Sequence, residues 1–123
     1  MQKIVHRKHK SMRMQIIVKT QFVGFHFWKD APDEVAFLRN RHRHVFNVKA
    51  SFDVKHEDRQ LEFFIMQSKL DDILFEYRIA HQVNLGSCEM IAAYVLERFQ
   101  MEGGAGDSVA VFEDDENGAV VSV

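Results

Sequence analysis

Along residues 42–54, "HRHVFNVKASFDV", the side chains alternate: His42, His44, Phe46, Val48, Ala50, Phe52 and Val54 fall on one face, Arg43, Val45, Asn47, Lys49, Ser51 and Asp53 on the other. Successive side chains of an extended chain point to opposite faces, so this stretch reads as a half-buried β-strand. From about residue 13, "RMQIIVKTQFVGFHFW" is rich in β-branched and aromatic residues and carries Met14, Ile16, Val18, Thr20, Phe22, Gly24 and His26 at even positions. It predicts an earlier strand with one mainly apolar face. Residues 29–41, which contain the only proline and several charges, read as a long loop between the two.

The period changes after the polar "EDRQ". Met66, Leu70, Ile73, Leu74 and Tyr77 recur at helical spacing and predict a helix over 66–79. A second helix is expected over 88–101, with Ser87 as N-cap, Glu89 near the positive end of its dipole, and Gly103 and Gly104 as the stop. The tail "DSVAVFEDDENGAVVSV" supplies two short strands, joined by a tight turn expected at Asn117-Gly118. The order ββααββ predicts an α+β domain, a four-stranded antiparallel sheet with both helices on one face.

Composition narrows the class. A chain of 123 residues with eleven phenylalanines can build one core but not two, so a single domain over 1–123 is expected, in which the basic residues 1–12 could be flexible. The formal net charge of -2 argues against nucleic acid as a partner, because phosphate binding normally shows as a basic excess. The charge is uneven, with basic residues before position 14 and the acidic run "EDDE" at 113–116, which reads most simply as two solvated faces. Cys88 is the only cysteine, so no intrachain disulfide can form and a reducing compartment is expected. No apolar run nears the roughly 20 residues that span a bilayer, so no membrane partner and a cytoplasmic location are expected.

The histidines are the candidate chemistry. His42 and His44, two apart on a strand, share a face and can reach one ion, and His26 ends the apolar face of the preceding strand. If the two strands pair as a hairpin, the three imidazoles meet at one end of the sheet. Three neutral nitrogens with one open position is the arrangement of a catalytic zinc site.

These motifs resemble the 6-pyruvoyl tetrahydropterin synthase and 6-carboxy-tetrahydropterin synthase family, over nearly the whole chain from about residue 14. "GFHFW" looks like the family's first zinc histidine and "HRHVFNV" like its His-Gly-His strand. "RQLEFFIMQSKLDDIL" is similar to its first helix, "SCEMIAAYVLERF" to the Thr-x-Glu that opens the second, and "VFEDDENGAVV" to its final hairpin. The resemblance implies the tunnelling fold, Zn2+ held by His26, His42 and His44, and a pterin or purine-like ring bound by Glu113, with Glu89 as a further candidate. It implies an enzyme of the pterin or 7-deazaguanine pathways, acting on dihydroneopterin triphosphate or a related pterin as a carbon-oxygen lyase. It also implies a homo-oligomer, trimer or hexamer, with active sites between subunits.

The chain departs from that pattern in three places. Leu38 stands where the family's catalytic cysteine would lie, Ala80 stands where an aspartate would precede the candidate catalytic His81, and Arg43 replaces the glycine between the zinc histidines. Asp30, Asp33 and Glu34 are the acids that could act as base if the loop folds inward. The alternative to the lyase is therefore a diverged protein that binds a pterin or purine without that step.

Overall fold

The computed structural model describes residues 12–101 and 106–123. The basic N-terminal stretch before Met12 and the glycine stop at Gly103 and Gly104 lie outside the described residues. The alternating segments form two long strands, β1 (Met14–His26) and β2 (His42–Val54). They are followed by α1 (Phe63–Ala80), α2 (Cys88–Met101), β3 (Gly106–Glu113) and β4 (Gly118–Ser122). The sheet is antiparallel in the order β1-β2-β3-β4, and this ββααββ topology is that of the tunnelling fold. No helix among the described residues is long and apolar enough to cross a membrane.

Burial follows the predicted parity. Phe46, Val48, Ala50, Phe52 and Val54 of β2 are buried, joined from β1 by Val18 and Phe22. Onto that face α1 lays the predicted stripe of Met66, Leu70, Ile73, Leu74 and Tyr77, and α2 adds Ile91, Ala92, Val95, Leu96 and Phe99. The first helix packs toward β1 and the second over β3 and β4, so both helices cover one side of the sheet.

Three local features differ from the sequence expectation. The first helix starts at Phe63 rather than 66, because the Glu62 carboxylate accepts the Ile65 N–H at 2.9 Å and so caps an opening turn whose side chains lie exposed, off the apolar stripe. The long loop contains a kinked 3-10 segment, Asp33–Arg39, begun by the Val35 N–H donating to Pro32 O. The last hairpin turns at Asp114 and Asp115, both left-handed with φ of 54° and 56°, and not at Asn117-Gly118. Asn117 O already accepts the Glu113 N–H at 2.8 Å, and Gly118 pairs with Phe112 in the ladder. Glycine is needed at 118 for close approach, since a Cβ there would sit 2.2 Å from Val111 O. Ser87 caps α2 as expected, its Oγ accepting the Met90 N–H at 3.1 Å.

Phe46 is wholly buried between the sheet and the helices. Phe46→Ala should cost about 3–5 kcal/mol of unfolding free energy. Urea denaturation followed by fluorescence measures it, and a loss under ~1 kcal/mol would mean that the site around residue 46 collapses freely rather than leaving a cavity.

Candidate metal centre

The register of the first hairpin decides where the histidines go. His26 pairs with His42, and Gly24 with His44, so all three imidazoles share the face that carries Phe22 and Phe46. Ring centroids lie 4.5 Å apart for His26 and His42, 5.0 Å for His26 and His44, and 4.9 Å for His42 and His44. One ligand nitrogen from each lies within 4.8 Å of the other two, a cluster that can hold a metal ion. Phe46 supplies an apolar floor, meeting the His26 and His44 rings edge-on at 5.3 and 5.8 Å.

Each ring is held through its Nδ1, by a partner from a different part of the chain. His26 Nδ1 lies 2.7 Å from Gly86 O, His42 Nδ1 lies 2.7 Å from Asn40 O, and His44 Nδ1 lies 2.7 Å from the Asp114 carboxylate. A carbonyl oxygen can only accept, so Nδ1 must carry the proton in the first two rings, and a neutral ring then presents a bare lone pair on Nε2. An ionised carboxylate makes the same demand of His44. The hydrogen bond with His44 and a second from the Val45 N–H hold the Asp114 carboxyl below its ordinary range.

The free nitrogens converge. His42 Nε2 and His44 Nε2 are buried with no hydrogen-bond partner in the protein. Orphaned buried acceptors are rare because each forfeits its solvation, and two beside a third fit a cation that takes all three lone pairs. His26 Nε2 faces Glu113 Oε2 at 3.0 Å, and the same oxygen lies 3.8 Å from His44 Nε2. A bare ring nitrogen and a carboxylate repel, so that approach requires positive charge between them, a proton or a metal ion.

The loop between the helices is what brings Gly86 to His26. Asn84 Oδ1 accepts both the Phe27 and Gly86 N–H groups at 3.1 Å, Leu85 N donates to Phe25 O at 3.1 Å, and the Tyr77 hydroxyl donates to Leu85 O. Gly86 adopts φ of 82°, which a residue with a Cβ reaches only under strain. Gly24 lets the loop sit close, since a Cβ there would be 2.2 Å from Leu85 Cδ1.

Beside the histidines opens a cleft of about 610 Å³, walled by His26, His42, Trp28, Leu38, Met90, Glu89 and Glu113 among others. Its volume suits a small heterocycle, and it pairs apolar walls with two carboxylates. Cys88 also borders it, but burial first, then the Glu113 and Glu89 charges, push its thiol up to about 12. It is a neutral packing group at physiological pH.

The structure distributes the remaining sequence candidates. Leu38 lies in the cleft wall, so the position where the resemblance expects a thiol faces the site as an alkyl group. His81 ends α1, with Nδ1 2.8 Å from Tyr77 O and its ring stacked on Tyr77 at 4.0 Å, and it opens on a separate depression with Phe25, Phe75 and Arg78. Asp30, Asp33 and Glu34 are exposed, and Asp33 pairs with Arg39 at 2.8 Å. Arg39 also donates to Ala31 O, and Arg41 donates to Val83 O and Gln82 O, so both pin loops.

Asp114, Asn84, Gly86 and Trp28 escaped the sequence reading. The acidic run divides by role: Glu113 approaches the His26 and His44 rings at Nε2, and Asp114 holds the His44 ring at Nδ1. Its adjacency to the candidate Glu113 was the one available signal for Asp114. Comparison with protein-family models gave no match for this chain, and the search of curated proteins gave none either.

The Cys88 environment is testable by alkylation. With a thiol near 12, iodoacetamide should modify the native protein at pH 8 on the order of a thousandfold more slowly than the urea-unfolded chain. Because the folded pKa exceeds the unfolded one, the stability tied to the neutral thiol is complete below pH 9 and drains as pH rises toward 12. Equal labelling rates in the two states would show the thiol to be open and ionisable.

Proposed function

We propose that this chain is a zinc-dependent enzyme resembling 6-pyruvoyl tetrahydropterin synthase, acting on dihydroneopterin triphosphate or a related pterin in the pterin or 7-deazaguanine pathways. The observation that carries the reading is the convergence of three Nε2 lone pairs, each fixed from behind through Nδ1, at the edge of a cleft that also holds two carboxylates. Three imidazole nitrogens are a donor set that suits zinc. When bound, the ion would supply Lewis-acid polarisation of a substrate oxygen.

The chain's own residues do the rest. His26, His42 and His44 hold the ion. Glu113 and Glu89 take the ring, since a carboxylate accepts two parallel N–H bonds from a guanidine-like edge. Trp28, Leu38 and Met90 give that ring an apolar bed and displace water from it. The protein works as a homo-oligomer in the reducing cytoplasm. In support, β1 and β4 are unpaired sheet edges with Ile17, Val23, Phe25 and Val120 exposed along them. Any catalytic role of His81 belongs to such an assembly, because within one chain His81 is not among the cleft walls.

Leu38 and the neutral Cys88 favour a second reading, in which the same site binds a pterin or purine without the lyase step. The two part in one experiment. Purified protein should carry about one zinc per chain by elemental analysis, bind pterins by fluorescence quenching, and consume dihydroneopterin triphosphate. Tight binding without turnover selects the second reading, and zinc-loaded protein that binds no pterin or deazapurine overturns both.

Glu113→Gln replaces an acceptor oxygen with a donor, so the pterin affinity of the zinc-loaded protein should fall about tenfold to a hundredfold. Titration by fluorescence reads it, and unchanged affinity would remove Glu113 from the ring-binding role.

A further inference from the structure

We propose that Asp114 is the positioning residue of this metal centre: one carboxylate both continues the β2 ladder through the hairpin turn and sets the tautomer of His44. The inference rests on the metal-site reading and extends it to a residue outside the ligand set.

Asp114 lies in the left-handed region, where the chain leaves β3. Its N–H donates to Val45 O at 2.7 Å, and the return bond of the pair goes to its side chain, Oδ1 accepting the Val45 N–H at 2.8 Å. The other oxygen, Oδ2, lies 2.7 Å from His44 Nδ1. The group therefore accepts two N–H donors at once, and through the second it keeps the proton on Nδ1 and the lone pair on Nε2. His26 and His42 draw the same service from backbone carbonyls. His44 alone depends on a side chain for its tautomer.

The amide cannot do both jobs. Asparagine tolerates the left-handed conformation as well as aspartate, so the turn survives, but it offers one acceptor oxygen and one NH2. If the oxygen stays with Val45, the NH2 meets His44 Nδ1 and drives the ring to the Nε2–H tautomer, which cannot ligate through Nε2. If the amide flips, the ladder bond to Val45 is lost instead. The Val45 N–H is fixed in β2 beside the Asp114 N–H bond to Val45 O, whereas a ring can reorient, so the first outcome is expected.

The test has two arms. Long-range 15N–1H correlation spectra of the metal-free wild-type protein should show His44 with the proton on Nδ1, and those of Asp114→Asn should show it on Nε2. Cobalt(II) and zinc(II) titrations against a competing chelator should give an affinity about 10–100-fold weaker for Asp114→Asn, while Asp115→Asn, the same charge change at an exposed neighbour, stays at the wild-type value. A wild-type His44 protonated on Nε2 overturns the proposal, even if the variant does not fold. So does wild-type metal affinity in Asp114→Asn, or an equal loss in Asp115→Asn, which would mark a charge effect. A wild-type protein that takes up neither metal would instead overturn the metal reading, leaving the tautomer spectra to decide the role of Asp114.

Discussion

The pairing of β1 with β2 is the constraint on which the rest of the molecule depends. Thirteen residues of each strand pair without a break, from Met14 opposite Val54 to His26 opposite His42. Side chains alternate with a period of two, so a slip of one residue in β1 would turn Phe22 and Val18 to solvent and carry His26 away from the other imidazoles. The apolar contacts that hold the register, Phe22 stacked on Phe46 at 5.4 Å among them, therefore also assemble the histidine cluster. Core and site are one cooperative unit. The floor of the metal centre is the last layer of the hydrophobic core.

Register brings the rings together, but loops aim them. The partners of the three Nδ1 atoms come from the residue pair before β2, the connection between the helices, and the turn after β3. Each acceptor leaves Nε2 as the free nitrogen, so three separate segments agree on one direction. Two of the three are backbone carbonyls, placed by the path that the chain takes around them. Gly86 illustrates this: its left-handed φ and the Asn84 bridge are what turn its carbonyl toward His26.

The cleft beside the histidine cluster has a mixed electrostatic character. Glu113 and Glu89 bring negative charge to a wall that Trp28, Leu38 and Met90 keep apolar, and the same charge and burial hold Cys88 protonated. Such a wall suits a flat ring with donor N–H groups on one edge, and it provides no thiolate. The basic residues that crowd the end of the loop are spent on structure. Arg39 and Arg41 close the loop onto itself and onto the helix connection, with Arg41 also lying over the Phe25 ring at 4.3 Å.

The sequence by itself determined the elements, their faces and the three histidines, because each is a matter of period. Alternation in "HRHVFNVKASFDV" reports a strand with His42 and His44 on its buried side, and helical spacing from Met66 to Tyr77 reports the stripe that covers it. The turn was harder to see. Asn117-Gly118 has the strongest local turn chemistry, yet the chain bends at Asp114 and Asp115, because the ladder with β2 and the hydrogen bonds of Asp114 outweigh local preference. Only the tertiary structure decided which acceptor stands behind each imidazole, which acids of the 113–116 run face the site, and that Leu38 and not a loop acid borders the cleft. Those are contacts between residues far apart in the chain, over separations of 60 for His26 with Gly86 and 70 for His44 with Asp114. Periodicity carries no information about such pairs until the sheet and its loops have closed around them.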